Sequence, residues 1–194
     1  MRIQYPESMK YHVDKVLAGE YDLPWIYISK IHAEAVVLDV GANVGAFAVW
    51  ANARWPGATI HCYEPLQANF ELLKLNLDSL KNVQLHRTAV GNPENRRLFL
   101  GKNNCGENSF FDLGEQRCEF EEVSTIDPNS MPSAQVLKID AEGSEWDILS
   151  RLQTINYDLI LMEYHSEMQR RKIDALLVDY SLVGGSARSL DRGT

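Results

Sequence analysis

The sequence predicts an α/β fold, a doubly wound and mostly parallel sheet with a β-hairpin insertion before its fourth core strand. Three observations carry this. Apolar runs of strand length alternate with segments of helical periodicity along most of the chain. The run Val36 to Val40 passes through Gly41-Ala42-Asn43-Val44-Gly45 into an amphipathic segment, as a parallel strand does when it hands over to its crossover helix. Successive strand-like runs also close on acids, at Asp39, Glu64, Asp140 and Glu163. Right-handed βαβ units follow, with a ligand crevice outside the carboxyl ends of the strands.

Residues 1–33 read as an N-terminal collar: a short helix around Glu7 to Leu17, a stop at Gly19, then Tyr21, Pro24, Trp25 and Tyr27. Two roles are open to those aromatics, covering core or packing on a ligand. Val36 to Val40 suits a strand buried on both faces, with Asp39 near its end meeting solvent at the carboxyl edge. Gly41 and Gly45 lack a Cβ, so the chain turns sharply and a ligand or the next helix approaches closely. Asn43 suits a helix cap, and Val44, Phe47, Ala48 and Ala51 recur at helical spacing. A second strand, Ala58 to Tyr63, ends in Glu64-Pro65; an acid there accepts hydrogen bonds from both hydroxyls of a ribose, and Pro65 starts a helix at no cost in N–H groups. Leu66, Phe70, Leu73, Leu77 and Leu80 give that helix its apolar face, and Val83 to Val90 is a third strand ending at a Gly91-Asn92-Pro93 turn.

Residues 92–134 break the alternation. Leu98-Phe99-Leu100, a polar stretch from Asn103 to Ser109, Phe110-Phe111 and Phe120 to Val123 read as antiparallel hairpins inserted between core strands, either to choose a substrate or to form an oligomer contact. The pattern resumes with a strand from Gln135 to Asp140, Ala141-Glu142-Gly143, and a helix from Ser144 to Leu152. Tyr157 to Glu163 is a further buried strand closing on Tyr164-His165, a helix runs through Met168, Ile173, Leu176 and Leu177, and Tyr180 to Val183 is a last strand. The whole, 1–194, reads as a single domain long enough to bury its own core.

Composition narrows the partners. With 19 Lys plus Arg against 27 Asp plus Glu, the formal charge is −8, which argues against nucleic acid as substrate. Cys62, Cys105 and Cys118 have no metal-ligand spacing and fit reduced thiols in a cytoplasmic protein; no spacing demands a metal. Asp39 and Asn43 interrupt the best candidate for a membrane span, and Met1 to Glu7 contains no signal-peptide core. A cytoplasmic location away from membranes is the expectation.

Asp39, Glu64, Asp140 with Glu142, and Glu163 with His165 would share one sheet edge and make a negative cleft suited to a cationic ligand. A dinucleotide site wants G-x-G-x-x-G, which this turn lacks, and Asp39 would repel a phosphate. S-adenosylmethionine carries a ribose, an ammonium and a sulfonium with no phosphate, and fits better than NAD. Methyl transfer is an in-line displacement that needs alignment and exclusion of water. An alcohol nucleophile must also lose a proton. His165 has a suitable unperturbed pKa, Asp140 or Glu142 would serve if desolvated, and a reaction without a dedicated base stays open. Glu142 and Gly143 are alternatively caps for the helix after them.

The chain resembles the FkbM-type methyltransferases, S-adenosylmethionine-dependent enzymes of the Rossmann-like class I fold. The resemblance rests on Val37 to Gly45, Tyr63-Glu64-Pro65, Ala89-Val90-Gly91-Asn92 and above all Leu137-Lys138-Ile139-Asp140-Ala141-Glu142-Gly143-Ser144-Glu145, and it extends from about Gly19 to His165. It implies that Asp39, Gly41, Asn43 and Gly45 frame the cofactor's amino-acid end, that Glu64 holds the ribose, and that Ala89 and Val90 border the adenine. It further implies Asp140 and Glu142 beside the reacting centre, and O-methylation of a small molecule or sugar as the reaction. The alternatives are a non-catalytic module of the same fold and, less favoured, an NAD-dependent oxidoreductase. Two departures stand out. Thr88-Ala89-Val90 occupies the place where much of the wider class carries an adenine-binding acid, which leaves adenine to backbone groups and packing. Tyr180 to Gly185 leaves little room for a final strand, so that strand is very short, or a partner chain in a homo-oligomer completes the edge, or the polypeptide is incomplete.

Overall fold

A computed structural model describes residues 3–94, 97–100 and 119–185. Its centre is a five-stranded, all-parallel sheet of β1 (Val36–Val40), β2 (Thr59–Tyr63), β3 (Val83–His86), β8 (Val136–Ile139) and β9 (Leu159–Met162), in the order β3-β2-β1-β8-β9. The chain winds outward from β1 to β3 and returns to the other side of β1 at β8. The winding therefore reverses between β1 and β8, where the strand ends leave a crevice.

Helices cross over between these strands. They are α3 (Ala46–Arg54) after β1, α4 (Gln67–Leu77) after β2, α5 (Glu145–Arg151) after β8 and α6 (Glu167–Leu176) after β9. Successive strand side chains point to opposite faces, so β1 feeds two cores. Val37 joins Ile60, Phe47, Ala48, Ala51, Leu73 and Leu77 on one face. Leu38 and Val40 join Leu137, Ile139, Ile148, Leu149 and Ile173 on the other. The apolar runs are continuous because both faces are covered.

The N-terminal segment carries α1 (Lys10–Leu17) and a short α2 (Trp25–Ile28). Ile3, Met9 and Val13 pack on Val44 and Ala46 at the glycine turn. Buried Asn76 of α4 fastens this segment: its Nδ2 donates to the Gln4 and Val44 carbonyls at 2.9 and 2.8 Å, and its Oδ1 accepts from the Gln4 N–H at 2.7 Å. Tyr21 packs edge-on against Phe47, as a cover for core.

The expected third strand, Val83 to Val90, is two strands. After β3 the Thr88 N–H bonds back to the His86 carbonyl, and β4 (Ala89–Val90) leaves the main sheet to pair in parallel with β7 (Thr125–Ile126). The insertion contains the antiparallel pair β5 (Arg97–Phe99) with β6 (Phe120–Glu122). Its stretch from Asn103 to Ser109, Phe110-Phe111, Cys105 and Cys118 lies outside the described residues. Helix α4 starts at Gln67, so Pro65 precedes it and Leu66 is its N-cap. Tyr180 to Val183 is no strand: Leu182 is exposed, while the Tyr180 hydroxyl bonds the Tyr157 main chain. Among the described residues no helix is long and apolar enough to cross a membrane.

Candidate functional site

The turn after β1 is built on conformations that L side chains rarely adopt. Gly41 has φ 77°, and a Cβ there would stand 1.9 Å from the Asp140 carbonyl oxygen, so only glycine lets β1 and β8 end side by side. Gly45, at φ 90°, is the N-cap of α3 and faces Leu73 and Leu77. Asn43 is therefore not the cap. It takes a left-handed φ of 51°, directs its N–H to Glu64 Oε2 at 2.9 Å, and its buried Oδ1 has no hydrogen-bond partner among the described residues.

Beside this turn lies an open cavity at the carboxyl ends of the strands. Gly41, Asn43, Tyr63, Glu64, Leu66 and Asn69 line one side. Ala89, Val90, Leu98, Asp140, Ala141, Glu142 and Ser144 also line it. Glu64 is 4 % exposed, and its Oε1 accepts from the Leu66 N–H at 3.0 Å and from Asn69 Nδ2 at 3.5 Å. Burial nonetheless pushes its carboxyl up to about 7, against those hydrogen bonds. It is a carboxylate held ready for further donors.

Asp39 does not meet solvent at the strand edge; it is wholly buried and does not line the cavity. Register explains this, because Asp39 of β1 sits opposite Lys138 of β8. The Lys138 ammonium is 3.1 Å from Asp39 Oδ1 and 3.9 Å from Asp140 Oδ2, and it donates to the Gly41 carbonyl at 2.8 Å. Burial opposes its charge, but the two carboxylates win and raise its pKa. An internal ion pair thus stands behind the glycine turn and holds it.

On the opposite wall, Glu142 has φ 49° and Gly143 φ 97°. Neither caps α5. Its N-cap is Ser144, and fully buried Glu145 folds back so that Oε1 accepts from the Ala141 and Gly143 N–H groups at 3.1 and 3.0 Å. His165 lies beyond the cavity lining with both ring nitrogens engaged, Nε2 at 3.2 Å from Glu142 Oε2 and Nδ1 at 3.3 Å from Glu145 Oε1. These two carboxylates push its pKa up to about 11, against partial burial. Burial also raises the carboxyl of Glu142, which His165 opposes.

The structure thus brings together on one cavity Gly41, Asn43, Glu64, Ala89, Val90, Asp140 and Glu142, places His165 one contact behind Glu142, and leaves Asp39 and Gly45 as supports behind the turn. Lys138, Glu145 and Asn69 were not among the expected site residues. Each carried a signal as a polar residue inside an apolar pattern: Lys138 within a buried strand, Glu145 opening a helix after an acid-rich turn, Asn69 on the packed face of α4.

The family model described as methyltransferase FkbM domain matches residues 39–181. The chain is similar to Methyltransferase 1 of Beauveria bassiana, 23 % identical over 154 residues that make up 66 % of this chain and 62 % of that protein. It is also similar to the hexuronic acid methyltransferase AglP of Haloferax volcanii, 22 % identical over 174 residues, 86 % of this chain and 71 % of that one. Among solved structures, the precorrin-6y C5,15-methyltransferase of Geobacter metallireducens aligns with a TM-score of 0.48 at 16 % identity, over 80 % of this chain and 68 % of that chain. The chain spans less than two thirds of the length of the Beauveria relative.

Proposed function

This chain belongs to the methyltransferase FkbM domain family, and on that footing we propose that it is an S-adenosylmethionine-dependent methyltransferase acting on a hydroxyl of a small molecule or sugar. The observation that carries the reading is Glu64, a buried carboxylate in the cavity beside the glycine turn, with Asn43 Oδ1, which has no hydrogen-bond partner among the described residues, as its neighbour. Two hydroxyls of a ribose suit the first, and a buried acceptor without a donor calls for a ligand donor at the second. Gly41, whose missing Cβ lets the ends of β1 and β8 approach, and Gly45 behind it would shape the cradle for the amino-acid end. Asp39 would act there indirectly, through Lys138 and the Gly41 carbonyl. Ala89 and Val90 offer an apolar border for the base, and Leu98 brings the insertion to the same cavity.

When bound, the cofactor supplies an activated methyl group. The residues of this chain would do the rest by alignment, exclusion of water and removal of a proton. Asp140 and Glu142 face the cavity and accept hydrogen bonds from an incoming hydroxyl. Burial raises the Glu142 carboxyl, which suits it to accept that proton. His165, with its pKa pushed up to about 11, holds a proton at neutral pH and serves as the cationic partner of Glu142. The likeness to a hexuronic acid methyltransferase favours a sugar acceptor. Incubation with S-adenosylmethionine and a uronic-acid glycan, with release of S-adenosylhomocysteine and methylated sugar measured together, tests the reading; both products are expected, and cofactor binding with no turnover on any hydroxylated acceptor would overturn it.

A further inference from the structure

We propose that Asp140, Glu142 and His165 form a site for one divalent cation of the magnesium or manganese type, at the acceptor end of the cavity. One ligand atom from each lies within 4.8 Å of the other two, although the three residues come from two different strand ends and show no ligand spacing in the sequence. An octahedral ion with bonds of about 2.0–2.1 Å needs ligand atoms roughly 3 to 4 Å apart, so small side-chain rotations close the set. Two carboxylates and one imidazole, without a thiolate, suit a hard ion that keeps open positions.

A second observation, outside the three ligands, points the same way. Glu145 is wholly buried behind the cluster: its Oε1, which also accepts from the Ala141 and Gly143 N–H groups, lies 3.3 Å from His165 Nδ1, and its Oε2 has no hydrogen-bond partner among the described residues. A carboxylate holding one imidazole nitrogen so that the other faces a carboxylate pair is the arrangement that orients metal-bound histidines. With Nδ1 donating to Glu145, Nε2 turns its lone pair toward Glu142 Oε2, and a cation replaces the proton between them.

The inference deepens the proposed function and rests on it: with the ion bound, His165 gives up the proton it shares with Glu142, both become ligands, and the ion takes over from Glu142 the activation of the acceptor hydroxyl. Three protein ligands leave about three positions of an octahedron for water or acceptor oxygens. An acceptor with two adjacent oxygen donors, such as a vicinal diol or a hydroxyl beside a carboxylate, would chelate the ion. Coordination lowers the pKa of the bound hydroxyl, whose proton leaves to solvent.

The test is a titration of the whole chain with Mn²⁺, followed by electron paramagnetic resonance, alongside calorimetry with S-adenosylhomocysteine in EDTA. One bound ion per chain is expected, displaced by Mg²⁺, lost in His165→Gln and in Glu142→Gln, and weakened about 10- to 100-fold in Glu145→Gln. Circular dichroism identifies variants that keep the fold, and Glu142, partly exposed, serves if His165→Gln does not. No bound ion at millimolar Mn²⁺, or undiminished binding in folded variants, overturns the inference. If S-adenosylhomocysteine still binds in EDTA, only the ion site has failed; if it does not bind, the cofactor reading has failed.

Discussion

The ion pair of Lys138 with Asp39 stands behind the glycine turn, where the same ammonium also holds the Gly41 carbonyl. Both groups are almost fully buried, and their mutual contact, the Gly41 carbonyl and the Asp140 carboxylate offset the loss of water. Lys138→Met is therefore expected to cost about 3–5 kcal/mol, because it strands a buried carboxylate. Lys138→Met combined with Asp39→Asn should recover much of that, as urea denaturation of both variants would establish. That Glu64, Asp140 and Glu142 lie at the sheet edge was legible in the sequence, since each follows the last residue of a buried apolar strand, whereas Asp39 lies within one. The pairing of Asp39 was not, because it depends on the register of β1 against β8, and register is a property of two strands. Nor was the choice of Gly45 over Asn43 as cap. The Asn43 N–H is taken by a glutamate 21 positions away, which no local rule contains.

Among the elements, the unit from β1 through the turn to α3 was readable because a strand covered on both faces writes a continuous apolar run and a glycine turn follows it. Gly41→Ala would place a Cβ against the Asp140 carbonyl at a positive φ, and should cost at least about 1–3 kcal/mol in chemical denaturation. A variant as stable as the parent would show that the strand ends are further apart than described. Asn76→Leu removes three hydrogen bonds that hold residues 3–5 against α4 and the turn. Hydrogen exchange should then speed up in the segment through α1, with about 1–3 kcal/mol lost. The strand boundaries that the sequence missed share a cause. Val83 to Val90 reads as one strand in sequence, but its hydrogen bonds divide between β2 and β7. Tyr180 to Val183 has strand-forming residues, and strand propensity is realised only where a neighbouring edge accepts the chain.

For the molecule as a whole, the order β3-β2-β1-β8-β9 places the carboxyl ends of β1, β2 and β8 around one cavity, and the FkbM family match covers those strands from Asp39 onward. The charge of −8 is therefore less informative than its placement, since Asp39 is neutralised internally while Glu64, Asp140 and Glu142 face the cavity. Glu64 gives the central claim its most direct measurement. Its carboxyl is raised to about 7 by burial, so below that pH it is protonated, and ribose hydroxyls that donate to its ionised form must first expel the proton. Affinity for S-adenosylhomocysteine should therefore rise with pH up to about 7, approaching tenfold per unit, and level off above it. Glu64→Gln should flatten this profile, and Glu64→Ala should weaken binding by about 1–3 kcal/mol. Calorimetric titration from pH 5.5 to 8.5, in the parent and in Glu64→Gln, decides the matter: proton release and rising affinity in the parent alone agree with a ribose held by Glu64, and a flat profile, or the same slope in both proteins, contradicts it.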